Sequence, residues 1–131
     1  MSASTSRTET ASAEHAELDR YDTPQLLETL VEDHALAVRA VKAATPELVR
    51  AVDATAERLA RGGRLIYAGA GTSGRLGVLD AVELNPTFSW PRHRAPALLA
   101  GGEGAMFLAV EGAEDDGAQG AQDLHRLGPV A

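Results

Sequence analysis

The sequence predicts an α/β fold: an N-terminal helical hairpin followed by the first half of a parallel-sheet αβα sandwich. Three observations carry this. Two Thr-Pro pairs, Thr23-Pro24 and Thr45-Pro46, each open an apolar stripe at mostly helical spacing. Beyond Gly62-Gly63, short runs of branched and aromatic residues alternate with helical ones. A glycine-rich turn, Gly69-Ala70-Gly71-Thr72-Ser73-Gly74, stands between the first such strand and its helix.

The elements follow in order. Residues 1–20 are rich in Ser, Thr, Ala and Glu and predict a disordered tail. Residues 21–62 form the helical region. Thr23 is the expected N-cap of its first helix, with Leu26, Leu27, Leu30, Val31, His34, Leu36, Val38 and Val41 following. The second helix starts at Thr45-Pro46, and its stripe is Leu48, Val49, Val52, Ala56 and Leu59. Gly62-Gly63 ends it. Residues 63–131 make the α/β part. Arg64 to Ala68 reads as a strand and Arg75 to Glu83 as a helix broken by Asn85-Pro86. Pro86, Pro91 and Pro96 mark a loop in which Trp90 is an anchor. Ala97 to Ala100 is a second strand. Glu103 to Val110 reads as a helix with Met106, Phe107 and Val110 inward, and 117–127 as another. By this alternation a further strand is due where the chain stops, and two parallel strands are too few for a buried sheet. The chain therefore reads as the front part of a larger α/β domain. The alternative is a small complete α-rich domain with a two-stranded ribbon.

Composition narrows the function classes. A net charge of −7 argues against non-specific binding to nucleic acid or an anionic membrane. With no cysteine, disulfides and cysteine–zinc sites are excluded. No apolar run approaches membrane-spanning length, and the N-terminus lacks the apolar core of a signal peptide. A cytoplasmic protein is the expectation. His34, His93 and His125 show no ligand spacing, so no metal is expected.

Gly69, Gly71 and Gly74 fit G-x-G-x-x-G between strand and helix, a weak dinucleotide signal by itself. The acidic residue that should follow the next strand is misplaced, with Glu103 too far along. Thr72 and Ser73 are more telling. Their hydroxyls and the amides at the helix start suit sugar hydroxyls or a phosphate. A plain strand–turn–helix corner is the alternative for the turn. For Arg75, a carboxylate or phosphate contact and a helix-surface role stand equal.

Two long motifs make the pattern specific. "GRLIYAGAGTSGRLGVLDAVELNPTF" followed by "LLAGGEGAMFLAVEGAEDD" resembles the N-acetylmuramic acid 6-phosphate etherases of the sugar isomerase (SIS) superfamily. The glucokinase regulatory protein belongs to the same superfamily. The resemblance runs from about Leu18 to the end of the chain and covers the front part of a considerably longer family chain. Val82-Glu83-Leu84-Asn85-Pro86-Thr87 stands where many members carry a Ser-Glu-Cys-Pro-Pro-Thr-type run, with the glutamate, a proline and the threonine kept.

The resemblance implies a partial SIS domain and cleavage of the D-lactyl ether of N-acetylmuramic acid 6-phosphate. The products are N-acetylglucosamine 6-phosphate and D-lactate, formed by elimination and then addition of water. It implies Glu83 as proton donor and Glu114 as base, 31 positions apart, a homodimer, and no metal or organic cofactor. Candidate substrate-binding residues are Gly71, Thr72, Ser73 and Glu111.

Physical chemistry is compatible with these roles. Elimination needs a base for the proton next to the aldehyde carbon and an acid for the departing oxygen. Glu83 is expected at a helix C-terminus, where the dipole disfavours negative charge and Leu84, Pro86, Phe88 and Trp90 exclude water. Glu114 lies among Glu111, Asp115 and Asp116, and like charges also favour a protonated carboxyl. The residues alone do not decide which glutamate is the base. Taken alone, an ordinary helix-end carboxylate is the commoner case for Glu83, and a solvated acidic loop or a helix N-terminal charge cluster the commoner one for 111–116.

A helix over 74–83 would place Glu83 about 14 Å from the glycine turn. One small sugar does not easily reach both. The expectation is that the two sites combine across a dimer, or that the phosphate is held by a later loop. The 131 residues alone are expected to be weakly active or inactive. A non-catalytic sugar-phosphate module and a dinucleotide-binding domain are the other two function classes; the presence of both glutamates favours the enzyme.

Overall fold

The computed structural model describes residues 13–128. The chain divides into two compact units, Met1–Val49 and Arg50–Ala131. The first twelve residues of the expected tail lie outside the described part. Leu18–Arg20, also assigned to that tail, is a 3-10 turn, with the amide of Tyr21 donating to the Leu18 carbonyl.

The first unit is built on α1, Thr23–Ala43. Its N-cap is Asp22 rather than the expected Thr23: the Asp22 carboxylate accepts from the Gln25 amide at 2.9 Å. This shifts Pro24 one place along, still in the first turn, where its missing N–H costs nothing. Helix α2, Thr45–Ala60, begins in this unit. Only Ala44 separates the two helices. Its amide donates to the Ala40 carbonyl, and its own carbonyl accepts from the Leu48 amide. The joint thus carries helical hydrogen bonds on both sides. Thr45 gives its hydroxyl to the Lys42 carbonyl, a capping contact for the end of α1.

The second unit carries the strands. Strand β1, Tyr67–Gly69, pairs in parallel with β2, Ala97–Leu99, in the register Tyr67 with Ala97, Ala68 with Leu98 and Gly69 with Leu99. Helix α3, Gly71–Phe88, connects them and packs on both, which makes one βαβ unit. Flanking hydrogen bonds from the Leu65 amide to Arg94 and from the Ala100 amide to Gly69 extend the pairing. Helix α4, Gly117–Arg126, follows, capped by the Asp116 carboxylate on the Gln119 amide at 2.8 Å.

Two helical expectations need correction. Helix α3 does not break at Asn85-Pro86 but runs to Phe88. Pro86 removes one N–H, whose partner would be the carbonyl of Val82, a residue on the exposed side of the helix, so the loss is one hydrogen bond. The helix closes instead at Ser89, which takes the left-handed conformation (φ 55°) and donates its amide to Leu84. Asn85 then holds the Trp90 carbonyl at 2.9 Å.

The helix expected over Glu103–Val110 is only a 3-10 turn at Glu103–Met106. Arg75 donates to the carbonyls of Ala105 and Leu108, on either side of the end of this turn. Phe107 does not point inward, at 87% exposed, whereas Val110, 45% exposed, lies against Gly101.

Among the described residues the buried apolar side chains are Ala95, Leu99 and Ala105. So small a core agrees with a sheet of two strands, whose faces are open. Leu76, Leu79 and Val82 on α3 are all more than half exposed. Three half-buried arginines stiffen the second unit by gripping distant carbonyls: Arg64 those of Leu127 and Gly128, Arg75 those named above, and Arg94 those of Leu59 and Gly63. Arg94 also lies 4.4 Å from the Trp90 ring centroid, a cation–π contact that anchors the loop.

Tyr67 donates its hydroxyl to the Asp80 carboxylate at 2.5 Å. Burial, then the hydrogen bond and charge of Asp80, push the phenol up to about 12. A raised folded-state value means that this contribution to stability is whole below the unfolded value near 10 and is lost as pH climbs from there through about 12. Ultraviolet titration of Asp80→Asn should show the Tyr67 transition at lower pH than in the parent chain. The shift should be incomplete, because burial remains.

Candidate functional site

The site grows from the corner between β1 and α3. Gly69 and Gly74 touch there: a Cβ on Gly74 would lie 2.6 Å from the Gly69 carbonyl carbon and 2.6 Å from a Leu99 methyl. Their absent side chains let α3 start directly on both strands. Gly71 has φ +53°, the left-handed conformation that glycine adopts at least cost. The turn is tighter than the sequence suggested. The helix begins at Gly71, so Thr72 and Ser73 sit in its first turn rather than in a loop before it. The N-cap residue is Ala70, whose methyl accepts no hydrogen bond. The amides of Gly71, Thr72 and Ser73 therefore have no partner within the helix and present its positive end.

A cleft of about 350 Å³ opens at this end, lined on one side by Ala70, Gly71, Thr72 and Arg75. The other side is Ala100 after β2, then Ala105, and the segment of Ala109, Val110, Glu111, Ala113 and Glu114. Its size falls near the lower end of the roughly 300–1,000 Å³ of small-molecule sites. Glu111 and Glu114 reach it because Gly112 turns the chain with φ 75° and Ala113–Asp115 makes a 3-10 turn. Both carboxylates are exposed and open to solvent. Chemically the cleft offers amide donors and a hydroxyl for an anion on one wall, and carboxylates that can take a proton on the other.

Four of the six sequence-derived residues thus meet: Gly71, Thr72, Glu111 and Glu114. Ser73 is exposed and outside the lining. Glu83 is also outside, and its expected surroundings need correction. Because α3 continues past Pro86, Glu83 lies more than a turn before the helix end, and it is exposed rather than screened by Leu84, Pro86, Phe88 and Trp90. It stands twelve residues beyond Gly71, about 18 Å along the axis. At 100° per residue it returns to nearly the same helix face as Thr72 and Leu76. The alanines of the lining carry no signal in a sequence, since what they contribute is room. Arg75 was legible only as one of two equal options; its grip on residues 30 and 33 positions away appears only in the fold.

Among the described residues no three His, Asp or Glu come together as a metal site, and no helix there is long and apolar enough to cross a membrane.

Comparison with known proteins agrees with the architecture. The chain is 55% identical over 125 residues to the N-acetylmuramic acid 6-phosphate etherase of Deinococcus radiodurans, covering 94% of this chain and 41% of that protein. It is 50% identical over 127 residues to the etherase of Salmonella typhi, at 97% and 43% coverage. Against the etherase of Rubrobacter xylanophilus it is 50% identical over 120 residues, at 92% and 40%. The chain spans about two fifths of the length of these curated relatives. Residues 47–129, which hold both strands and the whole cleft, match the glucokinase regulatory protein N-terminal SIS domain. With that match over more than half its length, the chain belongs to the family of the glucokinase regulatory protein N-terminal SIS domain.

Proposed function

We propose that this chain is the front portion of an N-acetylmuramic acid 6-phosphate etherase, a carbon–oxygen lyase of amino-sugar recycling. The observation that carries the reading is the cleft, where an uncapped helix start with Thr72 faces Glu111 and Glu114. The names of relatives at 50–55% identity support it.

Glu114 takes the proton from the carbon next to the aldehyde of the open-chain sugar. The carbon–oxygen bond to lactate breaks as the double bond forms, and Glu83 gives its proton to the departing oxygen. Water then adds across the double bond. Gly71, Thr72 and Glu111 hold the sugar. No metal or cofactor takes part. Since Glu83 is too far along α3 to share the cleft of its own chain, a second copy supplies it, in a cytoplasmic homodimer.

A second reading is a regulatory module that binds a sugar phosphate without cleaving it, because the matched domain is named for a regulatory protein.

One experiment separates the two. The chain replaces the matching 41% of the Deinococcus radiodurans etherase, and the graft is assayed for D-lactate release from N-acetylmuramic acid 6-phosphate, with binding measured in parallel against NAD. D-lactate release is the expected result. A folded graft that binds the sugar phosphate without releasing lactate supports the regulatory module, and one that binds only NAD defeats both readings.

A further inference from the structure

Arg75 follows Gly74 directly on α3, so its position is tied to the Gly69–Gly74 contact at the floor of the corner. Its Nε donates to the Ala105 carbonyl at 2.9 Å and its Nη2 to the Leu108 carbonyl at 3.2 Å. Ala105 is buried at 5% exposure, whereas Phe107 and Leu108 are 87% and 70% exposed. The segment from 107 to 112 therefore has little apolar packing, chiefly Val110 against Gly101. Besides that contact, a few turn hydrogen bonds, Phe107 and Leu108 to Gly104 among them, and the guanidinium tie it to the unit. This is the segment that leads into Glu111 and Glu114, and Arg75 lines the same cleft.

We propose that Arg75 is a positioning residue for the cleft carboxylates. By bridging α3 to the carbonyls of Ala105 and Leu108 it sets the distance between the helix start, with Gly71 and Thr72, and the wall that carries Glu111 and Glu114. Arginine suits the task because its flat fork spans two acceptors at once while staying charged at any working pH. Charge-assisted bonds of this kind are about twice as strong as neutral ones. A lysine offers a single nitrogen and holds one carbonyl well. The catalytic part of this inference rests on the etherase reading; the structural part does not.

The test uses two readouts on the parent, Arg75→Lys and Arg75→Gln, in the chain itself and in the graft. Amide hydrogen exchange follows Phe107, Leu108, Asp115 and Asp116. In Arg75→Gln these amides should exchange about tenfold faster or more, while those of β1, β2 and the rest of α3 keep their rates. In the graft, kcat for D-lactate release should fall about a hundredfold, as a displacement near 1 Å of a reacting group would cause, with KM changed less than about threefold. Arg75→Lys should recover part of both losses.

Unchanged exchange in Arg75→Gln, or a parent segment that already exchanges like an unstructured peptide, overturns the proposal. So does a large rise in KM with kcat kept, which would make Arg75 a direct ligand of a substrate anion. If exchange responds as expected but the parent graft releases no lactate, the etherase reading falls and the positioning role stands.

Discussion

In the graft, Glu114→Gln is expected to lower D-lactate release by about 10²- to 10⁴-fold, the range a positioned general base contributes. Glutamine keeps the size of the side chain and removes its charge and its capacity to accept the proton. The loss should therefore fall on kcat, with KM little changed. Glu83→Gln should lose activity to a similar degree, yet the two variants should differ when mixed with other subunits. Because Glu83 lies about 18 Å along α3 from Gly71 and outside the cleft lining, a Glu83→Gln subunit still offers an intact cleft. A subunit with a damaged helix start still offers an intact Glu83. Mixed dimers of these two should regain part of the activity, measured as D-lactate release after co-refolding. Recovery of none would mean that each chain acts with its own Glu83. Equal kcat for parent and Glu114→Gln would remove Glu114 from the chemistry.

The second large effect is on the fold. Gly74→Ala should destabilise the second unit by about 1–3 kcal/mol, the usual cost of overpacking. The added methyl would lie 2.6 Å from a backbone carbon of Gly69 and 2.6 Å from a Leu99 methyl. The backbone of a strand paired in the sheet cannot yield without breaking its register with β2, so α3 must tilt away. The cleft should loosen at the same time, since its floor is this contact. Gly77→Ala on the same helix is the internal control. Its methyl would meet Tyr67 at 3.6 Å, an ordinary contact. Replacing a helical glycine there should stabilise the chain by about 0.5–1 kcal/mol. Opposite shifts in the urea midpoint for the two variants are the expected result; equal shifts would show that close packing does not set the role of Gly74.

The order of strand, glycine turn and helix was legible in the sequence because its signals are local. Branched residues before Gly69, three glycines at fixed spacing and a helical period after Gly74 each need only their near neighbours. The helix over 117–127 is of the same kind, while its cap, the Asp116 carboxylate on the Gln119 amide, was seen only in the structure. The etherase motifs likewise lie in continuous stretches, so the family could be read without knowing the fold.

Where the sequence misled, a distant or competing partner was responsible. The helix expected over 103–110 gives way to a 3-10 turn over Glu103–Met106, and Arg75, some 30 positions earlier, binds the carbonyls of Ala105 and Leu108 there. The stop expected at Pro86 fails because a proline costs only one hydrogen bond and the exposed Val82 side of the helix can lose it. The surroundings of Glu83 followed from that error. The sequence by itself determined the order of strand, turn and helix, the family, the residue types available for proton transfer and, through helix geometry, the distance of Glu83 from the glycine turn. Only the tertiary structure decided that Glu114 shares a cleft with Thr72, because that depends on parallel pairing of β1 with β2 and on contacts between residues far apart in the chain.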